Sequence, residues 1–237
     1  MSITDYTTLS RQQGLNREMQ MIANNIANTA TSGYRQQGVV FSEYIRQTDE
    51  AGSVAMSAAH VRQTSYVQGT LTRTGDPFDL AIEGDGFFLV QAPQGERLTR
   101  AGAFAVSAAG ELVTPDGYTV LDAGGAPVFV PSGSGEIAVA QDGTISADGA
   151  PVGQVGVVQP FDQASLIREG GVLFRADDGF EPAPDPKVLQ GFVESSNVNP
   201  ILQIARMIEV QRAYEAGQNF LQREDERVRD TIKAMIK

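Results

Sequence analysis

The sequence predicts an α+β fold, mainly β, with an all-β central domain between an N-terminal and a C-terminal α-helix. Three observations carry this reading. Leu15, Met19, Ile22 and Ile26 recur at spacings of four, three and four, one face of a helix. Short apolar runs punctuated by Asp-Gly pairs fill the middle of the chain. Met207, Tyr214, Leu221, Val228 and Met235 then fall at intervals of seven, a heptad seam.

The first helix is expected over roughly 4–28, with Leu9 extending its stripe loosely. Asn24, Asn25 and Asn28 crowd its last turn and a half, and Asn is a mediocre helix former. Two readings stand: helix termination, with Gly33 taking positive φ, and termination combined with side-chain amides bonding across to neighbouring helices. The segment 34–70 is polar and lacks sustained periodicity, so it reads as an extended or irregular link, and 46–60 is given no secondary structure.

From about 71 to 199 the chain reads as a β-rich domain. Phe78, Leu80 and Ile82 alternate before the Glu83-Gly84-Asp85-Gly86 turn, and Phe87-Phe88-Leu89-Val90 follows as an apolar strand. Leu112-Val113 and Tyr118-Thr119-Val120 flank Pro115-Asp116-Gly117, a hairpin signal because Asp-Gly supplies positions of positive φ. Asp-Gly recurs at 142–143, 148–149 and 178–179. No fixed period emerges, so neither a propeller nor a regular solenoid is expected.

The last helix starts at Pro200 behind Asn199, a residue suited to the N-cap. Taking Met207 as a d position, the a positions are Ile204, Gln211, Gln218, Asp225 and Ile232: apolar at the ends, polar in the centre. Such a helix is marginal alone in water and needs a partner.

Charge is distributed unevenly. Residues 46–200 carry 8 basic against 20 acidic side chains, whereas 201–237 carry seven against six and 1–45 balance at zero. Neutral ends suit close packing against further copies, and the acidic middle suits a solvated outer surface. With no basic patch, nucleic acid and anionic lipid are poor partners. The chain has no cysteine, so disulfides and thiolate metal sites are excluded. No run approaches the roughly 18 apolar residues of a membrane span, and residues 1–11 lack a basic start followed by an apolar run, so no cleaved secretory signal is expected.

Catalytic groupings exist only by proximity. Asp76, Asp79, Glu83 and Asp85 could suggest a glycosidase pair but read better as turn and surface residues. His60 is the sole histidine, and no nucleophile elbow accompanies any Ser. Asp142-Gly143-Thr144-Ile145-Ser146-Ala147-Asp148 lacks the ligand spacing of a calcium loop. Gly84-Asp85-Gly86 and Gly124-Gly125 lack the context of a phosphate loop. No catalytic, cofactor or metal site is expected.

Ala23-Asn24-Asn25-Ile26-Ala27-Asn28, followed by Thr31-Ser32-Gly33-Tyr34, resembles the N-terminal signature of flagellar axial proteins, the family of rod, hook and hook-associated subunits. Gly75-Asp76-Pro77-Phe78-Asp79-Leu80-Ala81-Ile82-Glu83-Gly84-Asp85-Gly86-Phe87-Phe88 resembles the start of that family's β domain. Gln190-Gly191-Phe192-Val193-Glu194-Ser195-Ser196-Asn197-Val198-Asn199 resembles its return into the C-terminal helix, where Met207-Ile208, Gln211-Arg212-Ala213-Tyr214 and Glu215 also match. Length and the opening Leu9-Ser10-Arg11-Gln12 are most similar to the basal-body proximal-rod subunits, with distal-rod and then hook subunits as alternatives. Two departures are Ile3 and Tyr6 where an aromatic or Leu cluster is common, and Ala30-Thr31-Ser32 with Tyr34 in the signature.

The resemblance implies that residues 1–33 and 200–237 pair into a discontinuous, coiled-coil-like inner assembly domain, with 34–70 a link and 71–199 an outer domain. It implies a structural protein of the periplasm-spanning rod, exported by the flagellar type III apparatus, touching neighbouring rod subunits and transmitting torque. The expected interface comprises Leu15, Met19, Ile22, Asn25, Ile26, Asn28, Ile204, Met207, Gln211, Tyr214, Leu221, Val228 and Met235. A different class, a secreted β-rich binding or carbohydrate-active protein, would need an acid/base constellation or a signal peptide.

Overall fold

A computed structural model describes residues 3–48, 52–131 and 133–236. Two compact units share the chain: Met1–Asn28 with Gln36–Tyr66 and Val198–Lys237, and Thr29–Arg35 with Val67–Asn197. The fold is α+β and mainly β, with one helix toward each end of the chain.

The first unit holds helix α1 (Ile3–Ala27), strands β1 (Gln37–Thr48) and β2 (Gly52–Thr64), and helix α2 (Pro200–Met235). Where the sequence suggested an extended or irregular link over 34–70, β1 and β2 form a long antiparallel hairpin, Gln37 opposite Thr64 and Thr48 opposite Gly52, with a register shift at Val40/Phe41. Val39, Val40, Phe41, Tyr44 and Ile45 favour extended backbone. Small and polar residues dominate β2, so the alternation that marks a half-buried strand is missing. The side chains of Ile3, Tyr6 and His60 lie outside the described residues, as do residues 49–51 within the 46–60 stretch.

In α2 the Asn199 side chain accepts from the N–H groups of Ile201 and Leu202, with Pro200 in the first turn. This satisfies two of the orphan donors of the helix start. At the other boundary, α1 stops at Ala27 and Asn28 N–H bonds back to Asn24 and Asn25.

The second unit is built from short antiparallel strands. In chain order these are β3 (Leu71–Arg73), β4 (Leu80–Ile82), β5 (Phe87–Ala92), β6 (Gly95–Thr99), β7 (Ala105–Val106), β8 (Leu112–Val113), β9 (Thr119–Val120), β10 (Ile137–Val139), β11 (Thr144–Ala147) and β12 (Ala150–Gln154). They continue as β13 (Val157–Pro160), β14 (Ile167–Arg168), β15 (Leu173–Arg175), β16 (Phe180–Pro182), β17 (Val188–Gln190) and β18 (Phe192–Glu194). The largest sheet runs β14-β15-β6-β5-β9-β8-β7, with β13 joining β5 to β16; β10-β11-β12, β17-β4 and β18-β3 form smaller ladders. Phe88, Val90, Leu112, Val120, Ile145, Val157 and Val188 form its apolar centre. Leu80, Ala81 and Ile82 are all buried, so β4 is covered on both faces rather than alternating. The Asp116-Gly117 turn closes β8 onto β9, with Gly117 N–H on the Thr114 carbonyl.

Candidate assembly site

Helices α1 and α2 run antiparallel. Gln12 reaches Tyr214, Glu18 pairs with Arg206 at 2.8 Å, and Asn25 meets Gln203, so positions rise along one helix as they fall along the other. Leu15, Ile22 and Val210 are buried between them, with Met19, Ile26, Met207, Ala213 and Tyr214 packed around. Each such side chain contributes roughly 1.5–3 kcal/mol when fully buried.

The seam residues Met207 and Tyr214 therefore face α1, but their companions are not those the heptad reading supplied. The buried companions are Gln203 and Val210, and Gly217 continues that series beneath Gln12. Ile204 and Gln211, on the expected companion series, are exposed, and Gln211 bonds along the helix to Glu215 instead. The physical reason is visible at Gly217: a Cβ there would overlap Gln12 Nε2, which donates to the Tyr214 carbonyl at 2.9 Å. Beside the apolar contacts, the helices also touch at Gly217 and Gln203, which carry no hydrophobic periodicity.

The three asparagines divide their work. Asn25 is buried, donates through Nδ2 to the Gln37 carbonyl at 2.7 Å and to Gln203 Oε1 at 3.3 Å, and accepts from Gln37 N–H. It ties α1 to both the hairpin and α2. Asn28 bonds locally, to the Asn24 carbonyl and side chain, as a terminating residue does. Of the remaining expected interface residues, Leu221 is half-buried, while Val228 and Met235 are exposed. Ile201, Ile204 and Ile208 also stand open, at 76%, 51% and 46% exposure. Arg206, held by Glu18 and Glu209, has its guanidinium pKa raised further by those bonds.

The β unit hides a charge cluster that the sequence did not announce. Arg35 and Glu194, each 1% exposed, pair at 2.8 Å, and Arg100 lies 3.6 Å from the other Glu194 oxygen. Glu194 also accepts from Gly69 N–H at 2.9 Å, and Arg35 donates to the Val67 carbonyl. Burial pushes the Arg100 guanidinium down to about 10, opposed by the Glu194 charge and deepened by Arg35. Arg168 stacks between the rings of Tyr34 and Phe174, 4.6 and 4.8 Å from their centroids, and donates to the Arg35 carbonyl. Burial pushes the Tyr34 hydroxyl up while Arg168 pulls it back. Gly33, with φ of +70°, lets this segment run against the backbone of Arg100 and Ala101, where any Cβ would collide.

Asp76, Glu83 and Asp85 are exposed, and Asp76 accepts from Phe78 N–H in a turn. Asp142 likewise accepts from Thr144 N–H and hydroxyl, which hold its carboxyl below the ordinary value. These are the local bonds of Asx turns.

Two family models match. One, described as the flagellar hook protein FlgE/F/G D1 domain, covers residues 81–147, and one described as the flagellar basal body rod FlgEFG protein C-terminal covers residues 189–234. The chain is 36% identical to the flagellar basal-body rod protein FlgF of Caulobacter vibrioides, over 98% of this chain and 97% of that one. It is 38% identical to FlgF of Mesorhizobium japonicum, over 89% and 88%. Similarity to the flagellar basal-body rod protein FlgG of Bacillus subtilis is lower, 29% over 96% and 97%.

Proposed function

The chain belongs to the flagellar basal-body rod protein family as a structural rod subunit most like FlgF, and from that premise we propose that it polymerises through its terminal helices. The observation that carries the proposal is that α2 buries one face against α1 and leaves large apolar residues exposed on others, Ile201, Ile204, Ile208 and Val228 among them. The unit containing both helices balances 11 basic against 11 acidic side chains, whereas the β unit carries the whole net charge of −11. Neutrality removes the self-repulsion that opposes packing copy against copy. Burial of those exposed faces on incorporation then supplies what the isolated helix pair lacks.

In this reading the subunit occupies the proximal rod, contacts neighbouring rod proteins, reaches its site through the flagellar export apparatus, and passes torque along the rod. Its role is mechanical rather than catalytic. A secreted carbohydrate-active protein is not favoured by relatives that span nearly the whole chain.

Val228→Asp tests the proposal. Val228 is 46% exposed, so the monomer should keep its helicity. Incorporation into basal bodies and motility are expected to fail. Normal motility with normal incorporation would remove α2 from the assembly surface.

A further inference from the structure

Five Asp-Gly pairs punctuate the β unit, at 85–86, 116–117, 142–143, 148–149 and 178–179. Such a pair carries a latent reaction, because the glycine nitrogen can attack the aspartate side chain and no Cβ obstructs it. The fold restrains four of the five. Gly117, Gly143 and Gly179 donate their N–H groups to the carbonyls of Thr114, Ala140 and Ala176, at 2.9, 2.9 and 3.2 Å. The Asp142 carboxylate is held as well, by the N–H and hydroxyl of Thr144. At Asp148 the restraint falls on the carboxylate, which accepts from Gly135 and Glu136 N–H at 3.1 Å each.

Asp85-Gly86 differs at both reacting groups. Asp85 is exposed and its carboxylate accepts no hydrogen bond among the described residues, and Gly86 N–H donates to no protein acceptor among them. The chain on either side is pinned. Arg100 donates to the Ile82 and Gly84 carbonyls, and Glu83 N–H to the Lys187 carbonyl. Gln68 donates to the Ile82 carbonyl and accepts from Gly84 N–H. Beyond the pair, Phe87 enters β5. Gly84 and Gly86 take φ of +90° and +122°, so the aspartate stands between two residues of wide conformational range. The slack in this turn is confined to the two residues that react.

We propose that Asp85-Gly86 is the site at which the folded chain converts an ordinary aspartyl bond into a β-linked one. The Gly86 nitrogen bonds to Cγ of the protonated Asp85 carboxyl, and the hydroxyl leaves with the amide proton as water, closing a succinimide ring. Water then adds to either ring carbonyl. Breaking the bond from nitrogen to Cγ restores aspartate. Breaking the bond from nitrogen to the main-chain carbonyl carbon leaves isoaspartate, with Cβ and Cγ in the main chain and a carboxylate on Cα. The water lost in the first step returns in the second, so the net change is an isomerisation that needs no other reactant. The extra main-chain atom enters between Gly84, whose carbonyl Arg100 grips, and the start of β5.

The test uses the full-length wild-type chain, incubated folded at neutral pH and physiological temperature in water carrying a heavy oxygen isotope. Peptide mapping with electron-transfer fragmentation locates β-linked residues, and the isotope marks every ring that has opened. A second sample is held in concentrated urea. At a restrained pair the reaction waits for local opening, and one hydrogen bond of ordinary net strength slows it by about two- to tenfold. Isoaspartate and isotope are therefore expected at residue 85 at least about twofold above each of the other four pairs. In urea that lead should vanish, because sequence alone then sets the rate. Asp85→Glu, which would have to close a larger ring, should leave no product at this position. A different pair leading in the folded chain, or a folded distribution matching the one in urea, would overturn the proposal.

Discussion

Replacing Glu194 with Gln isolates the charge in the buried cluster from its shape. Gln keeps the volume and an oxygen able to accept from Gly69 N–H, so packing and that bond survive. What disappears is the carboxylate that faces two guanidiniums, Arg35 at 2.8 Å and Arg100 at 3.6 Å, all three groups at most 4% exposed. Two unit charges about 4 Å apart at an effective dielectric of about 20 attract by about 4 kcal/mol. Breaking one partner of a buried pair costs about 3–5 kcal/mol by experience with such sites. The two figures agree, and Arg100, already pushed down to about 10 by burial, would lose the group that holds it up. A loss of that size lowers the melting temperature of a unit this large by roughly 10 °C. The assay is calorimetry or near-ultraviolet dichroism of the tyrosines against urea, since the chain has no Trp. Glu209→Gln, removing an exposed partner of Arg206, serves as the control and should shift stability by less than about 1 kcal/mol. The loss at Glu194 should persist in high salt, because buried charges are screened little. Stability of Glu194→Gln within about 1 kcal/mol of wild type would refute the cluster's structural role.

Other outcomes follow from the same geometry. Gly33→Ala should destabilise the β unit by at least about 2 kcal/mol, because φ is +70° and the new methyl meets backbone atoms that cannot rotate away; urea midpoints measure it. Asn199→Ala removes the acceptor for Ile201 and Leu202 N–H and should cost about 0.5–2 kcal/mol, seen as earlier loss of helicity on heating. Asp142 has a depressed carboxyl pKa, so its contribution is present above the ordinary value of 3.8 and lost as pH falls through the lowered one. Asp142→Asn should therefore flatten the acid limb of a stability–pH curve measured between pH 6 and 2.

The sequence showed most where the signal is apolar and periodic. The α1 stripe, the Met207–Tyr214 seam, the Asn199 cap and the Asp-Gly turns are all in place, because each rests on local rules of spacing and backbone preference. The residues of α2 that meet α1 beside Met207 and Tyr214 were less legible, because Gln203 and Gly217 on either side of Val210 have no hydrophobic signature, and a glycine contact is written in absent atoms. The hairpin of β1 and β2 escaped because β2 shows no alternation. The Arg35–Glu194–Arg100 cluster escaped for a different reason: charged residues far apart in sequence read as surface until the fold brings them together and covers them.

That cluster also has a consequence in time. Arg35 precedes the hairpin and Glu194 directly precedes the return to α2, so nearly the whole β unit lies between the two halves of one ion pair. A chain threaded end-first through a narrow passage, from either terminus, cannot close this pair until the intervening strands have emerged. Until then the unit is held short of its final state by connectivity alone. The pair therefore closes only once most of the β unit is available to fold, which ties the burial of its charges to completion of that unit.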